Sequence, residues 1–202
     1  MFKIKTYTLK TLLIFIFIAS QYVFAQIPAD FNKQRIDIDK KLMLTLGTWS
    51  TANIIASSIG WATAGNGEAK YFHQMNVTWS AINLGLALPG YFKARNSNAQ
   101  ISLGNTIRKQ SETEQAFLFN TGLDIAYLTA GFLLKSEGKH TIAKQAQLNG
   151  FGNGLLLQGG FLFLFDLSAY IIHRHHATLL KPTLDRLTLS SSGIGLNWRI
   201  GK

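Results

Sequence analysis

The sequence predicts an all-α fold: a four-helix transmembrane bundle of two antiparallel hairpins, with a short C-terminal β-hairpin tail. Three observations predict it. Only 15% of the 202 residues are Asp, Glu, Lys or Arg, against roughly 25% in ordinary soluble domains. Those charges leave long gaps: none between Leu42 and Gly67, none between Tyr71 and Phe92, Asp124 alone between Gln115 and Leu134, and Asp166 alone between Gln145 and His173. Each gap has the length, about 20 residues, that carries a helix across a hydrocarbon core of roughly 30 Å. Finally, none of these stretches has the charged stripe that a helix of a soluble bundle turns to water.

Residues 1–25 read as a signal peptide. Lys3, Lys5 and Lys10 make the basic region, Leu12–Ala19 the short apolar region, and Val23-Phe24-Ala25 the small-residue cleavage site, so that Gln26 starts the mature chain. Residues 26–41 read as a polar, amphipathic lead-in. The membrane domain, residues 42–176, follows. Its first helix runs from Leu42 to Ala64 and ends at the turn Gly65-Asn66-Gly67. The second runs from Ala69 to Phe92, with Pro89-Gly90 breaking its last turn. The short link makes these two a hairpin. Residues 93–113 read as the longest polar connection. The third helix spans Glu114–Leu134, Ser136–Lys139 makes a turn, and the fourth helix runs from near His140 to Ile172. In the tail, residues 177–202, Leu184–Leu189 and Ile194–Ile200 alternate around Ser190–Gly193, which predicts a small β-hairpin.

The two hairpins carry a weak internal repeat. Asn53 precedes Gly60 by seven residues, as Asp124 precedes Gly131, and Gln74-Met75-Asn76 resembles Gln147-Leu148-Asn149. Helix topology is contested. A cleaved signal places Gln26 on the trans side, with thirteen Lys and Arg there and four (Lys70, Lys135, Lys139 and Lys144) on the cytoplasmic side. The positive-inside rule predicts the reverse.

Composition excludes several classes. There is no cysteine, hence no disulfide and no thiolate metal site. The net charge of +10 sits in the targeting segment, loops and tail, while the aromatics lie in the apolar stretches. A nucleic-acid surface needs both on one face, so no nucleic-acid partner is expected. The lipid bilayer is the expected partner, together with a membrane protein or a second copy of the chain. Gly150-Phe151-Gly152-Asn153-Gly154 has no following Lys-Ser or Lys-Thr and is no nucleotide loop, and no nucleophile elbow or zinc-protease motif is present. No catalytic residue, metal ligand or cofactor is therefore assigned.

One polar cluster stands out. Asp124 is a carboxylate inside a span, where such a group faces the bundle interior and marks function by default. Asn83 and Asn53 lie at similar depth in their helices, which predicts that the three meet. Helix two carries a polar stripe, His73, Asn76, Ser80, Asn83 and Ala87, spaced for one helical face. The bland counterpart of both is interhelical hydrogen bonding that only holds the bundle together. Ala52, Ala56, Gly60 and Ala64, and likewise Gly150 and Gly154, are small-residue faces for close helix contact. His173-Arg174-His175-His176 reads as a basic membrane-edge anchor rather than a metal site, because adjacent histidines on a helix point apart, and a salt bridge joins Asp166 to Arg174 or a neighbouring helix end.

The runs Leu46-Gly47-Thr48-Trp49, Ala52-Asn53-Ile54, Tyr71-Phe72-His73-Gln74-Met75-Asn76 and Trp79-Ser80-Ala81-Ile82-Asn83 resemble an uncharacterised family of small bacterial four-helix membrane proteins, a domain of unknown function. The resemblance implies four spans after a signal peptide and a Gram-negative host. The expected location is the cell inner membrane, multi-pass, after signal-peptide-directed export. It implies no activity. The expected role is a non-enzymatic protein, structural or accessory to a partner. The alternative is a carrier or channel subunit for a small solute or protons, and the third an intramembrane enzyme.

Overall fold

The computed structural model describes the backbone of residues 4–185, 187–190 and 193–196, and side chains from residue 28 to 185. Four long helices make up most of it: α1 (Ile4–Thr63), α2 (Glu68–Arg95), α3 (Leu103–His140) and α4 (Gln145–Ala177). A last helical turn, Lys181–Leu184, leads to β1 (Leu187–Ser190) and β2 (Gly193–Leu196), which pair antiparallel with Leu187 opposite Leu196. The turn predicted at Ser191-Ser192 lies outside the described residues.

The helix ends follow from their termini. Glu68 sits in the first turn of α2, and Lys93 and Arg95 in the last; each charge complements the helix dipole there. The Ser102 hydroxyl accepts the Asn105 N–H at 3.3 Å and starts α3. Several expected boundaries are corrected by this structure. The lead-in is no separate segment: α1 runs unbroken through residues 26–41, with Pro28 inside it. α2 continues through Pro89-Gly90 to Arg95, and Gly90 there approaches Met43. α3 begins at Leu103, inside the stretch read as a connection, and runs through Ser136–Lys139 to His140. Gly138 is buried in that stretch because Asn149 and Leu148 of α4 press against it.

α1 packs along α2, α4 lies between α2 and α3, and α3 packs along α4. Glycines set this order. A Cβ on Gly150 would strike the Glu68 carbonyl, and one on Gly154 would lie 2.7 Å from Met75, both on α2. On other faces of α4, a Cβ on Gly152 would lie 2.8 Å from the Gly131 carbonyl, and one on Gly159 3.3 Å from the Leu128 nitrogen, both on α3. The backbones can come this close only where no side chain intervenes. Gly60 and Gly131, the matched glycines of the repeat, each meet the partner helix of their own hairpin: Gly60 against His73, Gly131 against Leu156 and Gly152. The expected face Ala52–Ala64 is corrected in part. Gly60 packs inside, but Ala52, Ala56 and the helix surface around them are exposed.

A small apolar core (Leu42, Leu46, Ala87, Leu162, Phe165, Ala169) sits at one level of the bundle. Above and below it the interior is polar. The largest fully buried side chains are His173, Gln158, Asn32, Asn76, Thr106, Ser50 and Ser80, whereas Phe119, Phe132 and Leu164 are 68%, 65% and 65% exposed. Buried polar groups need partners, and many find one on their own helix: Ser50 donates to the Leu46 carbonyl, Asn76 to Phe72 and Thr121 to Phe117, each four residues back.

Candidate functional site: two polar centres along α4

The first centre forms around Gln158. Its amide nitrogen donates to Asn76 Oδ1 at 2.7 Å, and reaches Ser80 Oγ at 3.3 Å and Asn53 Oδ1 at 3.5 Å. Two hydrogens serve three acceptors, so the second is shared between the two longer contacts. Its amide oxygen accepts from Trp49 Nε1 at 3.2 Å, and the Trp49 ring stacks on Phe161 at 4.0 Å. The side chain has no exposed surface. The stripe predicted on α2 supplies this centre: Asn76, Ser80, Asn83 and Ala87 are the buried face of that helix. His73 is half-buried at its end, held against Gly60, with Nδ1 unpartnered.

The second centre lies eight residues further along α4, about 12 Å at helical rise. Asp166 of α4 and Asp124 of α3 are 5% and 2% exposed. Their carboxyls adjoin across the α3–α4 interface, with the Asn120 amide against Asp166. Both line a cleft of about 410 Å³ together with Asn83, Tyr127 and Trp79. Among the described residues, no lysine, arginine or histidine lines that cleft. Asp124 Oδ2 and Asn83 Nδ2 are buried without a hydrogen-bond partner.

The predicted trio therefore separates. Asn83 shares the cleft with Asp124, while Asn53 turns to Gln158 and donates to the Trp49 carbonyl at 2.9 Å. Equal depth along the helices is not equal azimuth. Asp166 is also corrected: its partner is Asp124, and Arg174 pairs with Glu114 at 3.3 Å. Gln158 and Trp49 were missed, although a glutamine within the apolar run Leu155–Phe165 is itself a signal of interior polarity.

A third polar group joins the helix ends beyond Ile172, where the lead-in part of α1 meets the start of α3 and the end of α4. Asn32 donates to Thr106 Oγ1 at 2.8 Å, Arg35 to Asp39 at 3.1 Å, and Gln110 to the His173 carbonyl at 2.7 Å. His173 Nε2 lies 3.2 Å from Asp39 Oδ1, off the hydrogen-bonding axis. His176 stacks on Phe31 at 4.1 Å and meets its carbonyl at 3.1 Å. The anchor reading of His173 and His176 is thus corrected: both are buried. No grouping of metal-ligating side chains occurs among the described residues.

These features define a helical bundle with polar side chains inside, and α3 and α4 (with its flanking turns) are long and apolar enough to cross a membrane. The chain belongs to DUF6992, a family of unknown function, whose family model matches residues 45–167. The matched stretch holds Trp49, Gln158, Asp124 and Asp166, and leaves out the lead-in and the His173–His176 end. No curated protein and no solved structure matches the chain.

Proposed function

We propose that this chain is a multi-pass inner-membrane protein, inserted under its N-terminal export segment, with α1–α4 as its spans and a proton site at Asp124 and Asp166. The inside-out distribution of side chains carries the membrane reading. Water rewards buried apolar and exposed polar groups, and the reverse arrangement suits hydrocarbon. The carboxyl pair supports the proton site. Two carboxylates in contact with no cationic side chain in their cleft cannot both carry charge, so a proton between them completes the site. Both carboxyls border that cleft.

Carbonate extraction and flotation test the membrane reading: recovery of the full chain in the soluble fraction overturns it. Reconstitution in vesicles with an internal pH dye tests the proton site. Flux that survives in an Asp124→Asn/Asp166→Asn double variant overturns it. Orientation is read directly, because the chain has no cysteine: single cysteines placed at the exposed Asn66 or Asn96 are labelled from one side only. A second reading, a structural or accessory protein, is favoured by the exposed Ala52 and Ala56, whose small side chains leave room for a further helix.

A further inference from the structure

We propose that the slot between α2 and α3 holds one anionic phospholipid, its phosphate on Lys93 and Lys109 and one acyl chain along Met43, Leu86 and Phe117. This rests on the membrane reading above and is independent of the proton site.

The slot exists because α4 stands behind both helices. α2 and α3 are each drawn onto α4 by its glycines and scarcely touch one another. They meet where the Trp79 and Tyr127 rings pack edge to face at 4.8 Å. That contact closes one end. From there the slot opens towards the end of the bundle where α2 finishes and α3 begins. Its deeper part is the cleft of about 410 Å³; its outer part is a further recess of about 380 Å³, and Met43 and Phe117 border both. In hydrocarbon, space of this size does not stay empty, because the lining loses dispersion contacts that a chain restores.

The outer recess selects the headgroup. Arg35, Lys93 and Lys109 line it, with Asp39 and Glu112. Asp39 is engaged by Arg35 and faces His173, and Glu112 pairs with Arg108 at 3.5 Å. Lys93 and Lys109 make no ion pair among the described residues, where every Asp and Glu of the chain lies. Two uncompensated ammonium groups at the mouth of this recess suit a phosphate diester; the Ser97 and Thr113 hydroxyls beside them are spent on the Lys93 and Lys109 carbonyls. Lys109 stands fifteen residues before Asp124 on α3, about 22 Å at helical rise. One leaflet of hydrocarbon is roughly 15 Å deep, half the bilayer core, so a chain from a headgroup at Lys109 stops short of the carboxyl pair.

The full-length protein, purified in mild detergent and mixed with equal phosphatidylglycerol and phosphatidylcholine, is examined by native mass spectrometry. One retained phosphatidylglycerol is expected. Lys93→Ala/Lys109→Ala weakens its retention about thirtyfold, at about a fivefold factor per lysine. Lys139→Ala/Lys144→Ala, at the opposite end, leaves it unchanged. Leu86→Trp, which fills the slot, also removes it. Equal retention of phosphatidylcholine, or retention by the Lys93/Lys109 double variant, overturns the proposal. Displacement by excess inorganic phosphate, with Leu86→Trp indifferent, shows a free-phosphate site and overturns the lipid. A chain that fails to float with membranes defeats the membrane reading itself, whereas a floating chain without lipid defeats this inference alone.

Discussion

Gln158 and Asp166 are two turns apart on one helix, both buried, and their surroundings differ in kind. Around Gln158 each polar atom has a partner: Asn76, Ser80 and Asn53 accept, and Trp49 donates. Around Asp166 lies a cleft, Asp124 Oδ2 and Asn83 Nδ2 lack partners, and two acids adjoin with no cation among the described residues that line it. Polarity inside a bundle thus takes two forms. A closed network holds helices together; an unsatisfied one beside a cavity is where the proposed proton site is placed. Satisfaction, more than depth or residue type, separates them.

Four experiments press on that contrast. The largest effect is expected at the acids. Asp124→Asn/Asp166→Asn keeps the shape and removes the exchangeable proton, so vesicle proton flux falls about a hundredfold or more, while the melting temperature holds or rises. A stability loss as large as that of a Gln158 variant would make the acid pair a second piece of glue. Gln158→Leu comes next. It strands Asn76, Ser80 and the Trp49 indole, at about 0.6 kcal/mol and up to roughly 1.7 for each lost interhelical bond, so about 2 kcal/mol of stability disappears in a denaturation assay in micelles. Unchanged stability there would show that the network is ornamental.

Asn83→Leu separates the two centres on a single helix. Asn83 has no bond to lose from its amide nitrogen, so stability shifts by less than about 0.5 kcal/mol, in contrast to Asn76→Leu, which breaks the shortest bond of the closed network. The smallest effect concerns the helix ends. Arg174→Ala breaks the ion pair with Glu114 at the exposed end of α4, which contributes about 0.2 kcal/mol, so the melting curves of variant and parent overlay; a loss near that of Gln158→Leu would make this pair part of the closed network.

The hairpins were legible because charge-free stretches mark long apolar helices separated by short polar turns, and the α2 stripe because small and hydrogen-bonding residues recur at helical spacing. The misread segments share one cause. Residues 26–41 and 93–113 are polar, and polar runs between apolar ones resemble loops; here Asn32, Thr106 and Gln110 are polar because they face one another inside the bundle. Gly138 and Pro89 carry the local signature of a break, yet each sits in a continuous helix, Gly138 where a neighbour leaves no space for a side chain. The division of Asn53 from Asp124 could not be read from the chain, since it depends on which helices touch: α1 lies along α2, and α3 along α4.

The hydrogen bond between Gln158 and Asn76 also joins residues 82 apart in sequence. Synthesis proceeds at about 5–20 residues per second, so Asn76 is made roughly 4–16 s before its partner amide exists. Through that interval Asn76 rests on the Phe72 carbonyl alone. α4, the last of the four long helices made, is therefore the keystone of assembly, and ribosome-stalled chains ending before Gln158 should be the forms that quality-control proteases remove.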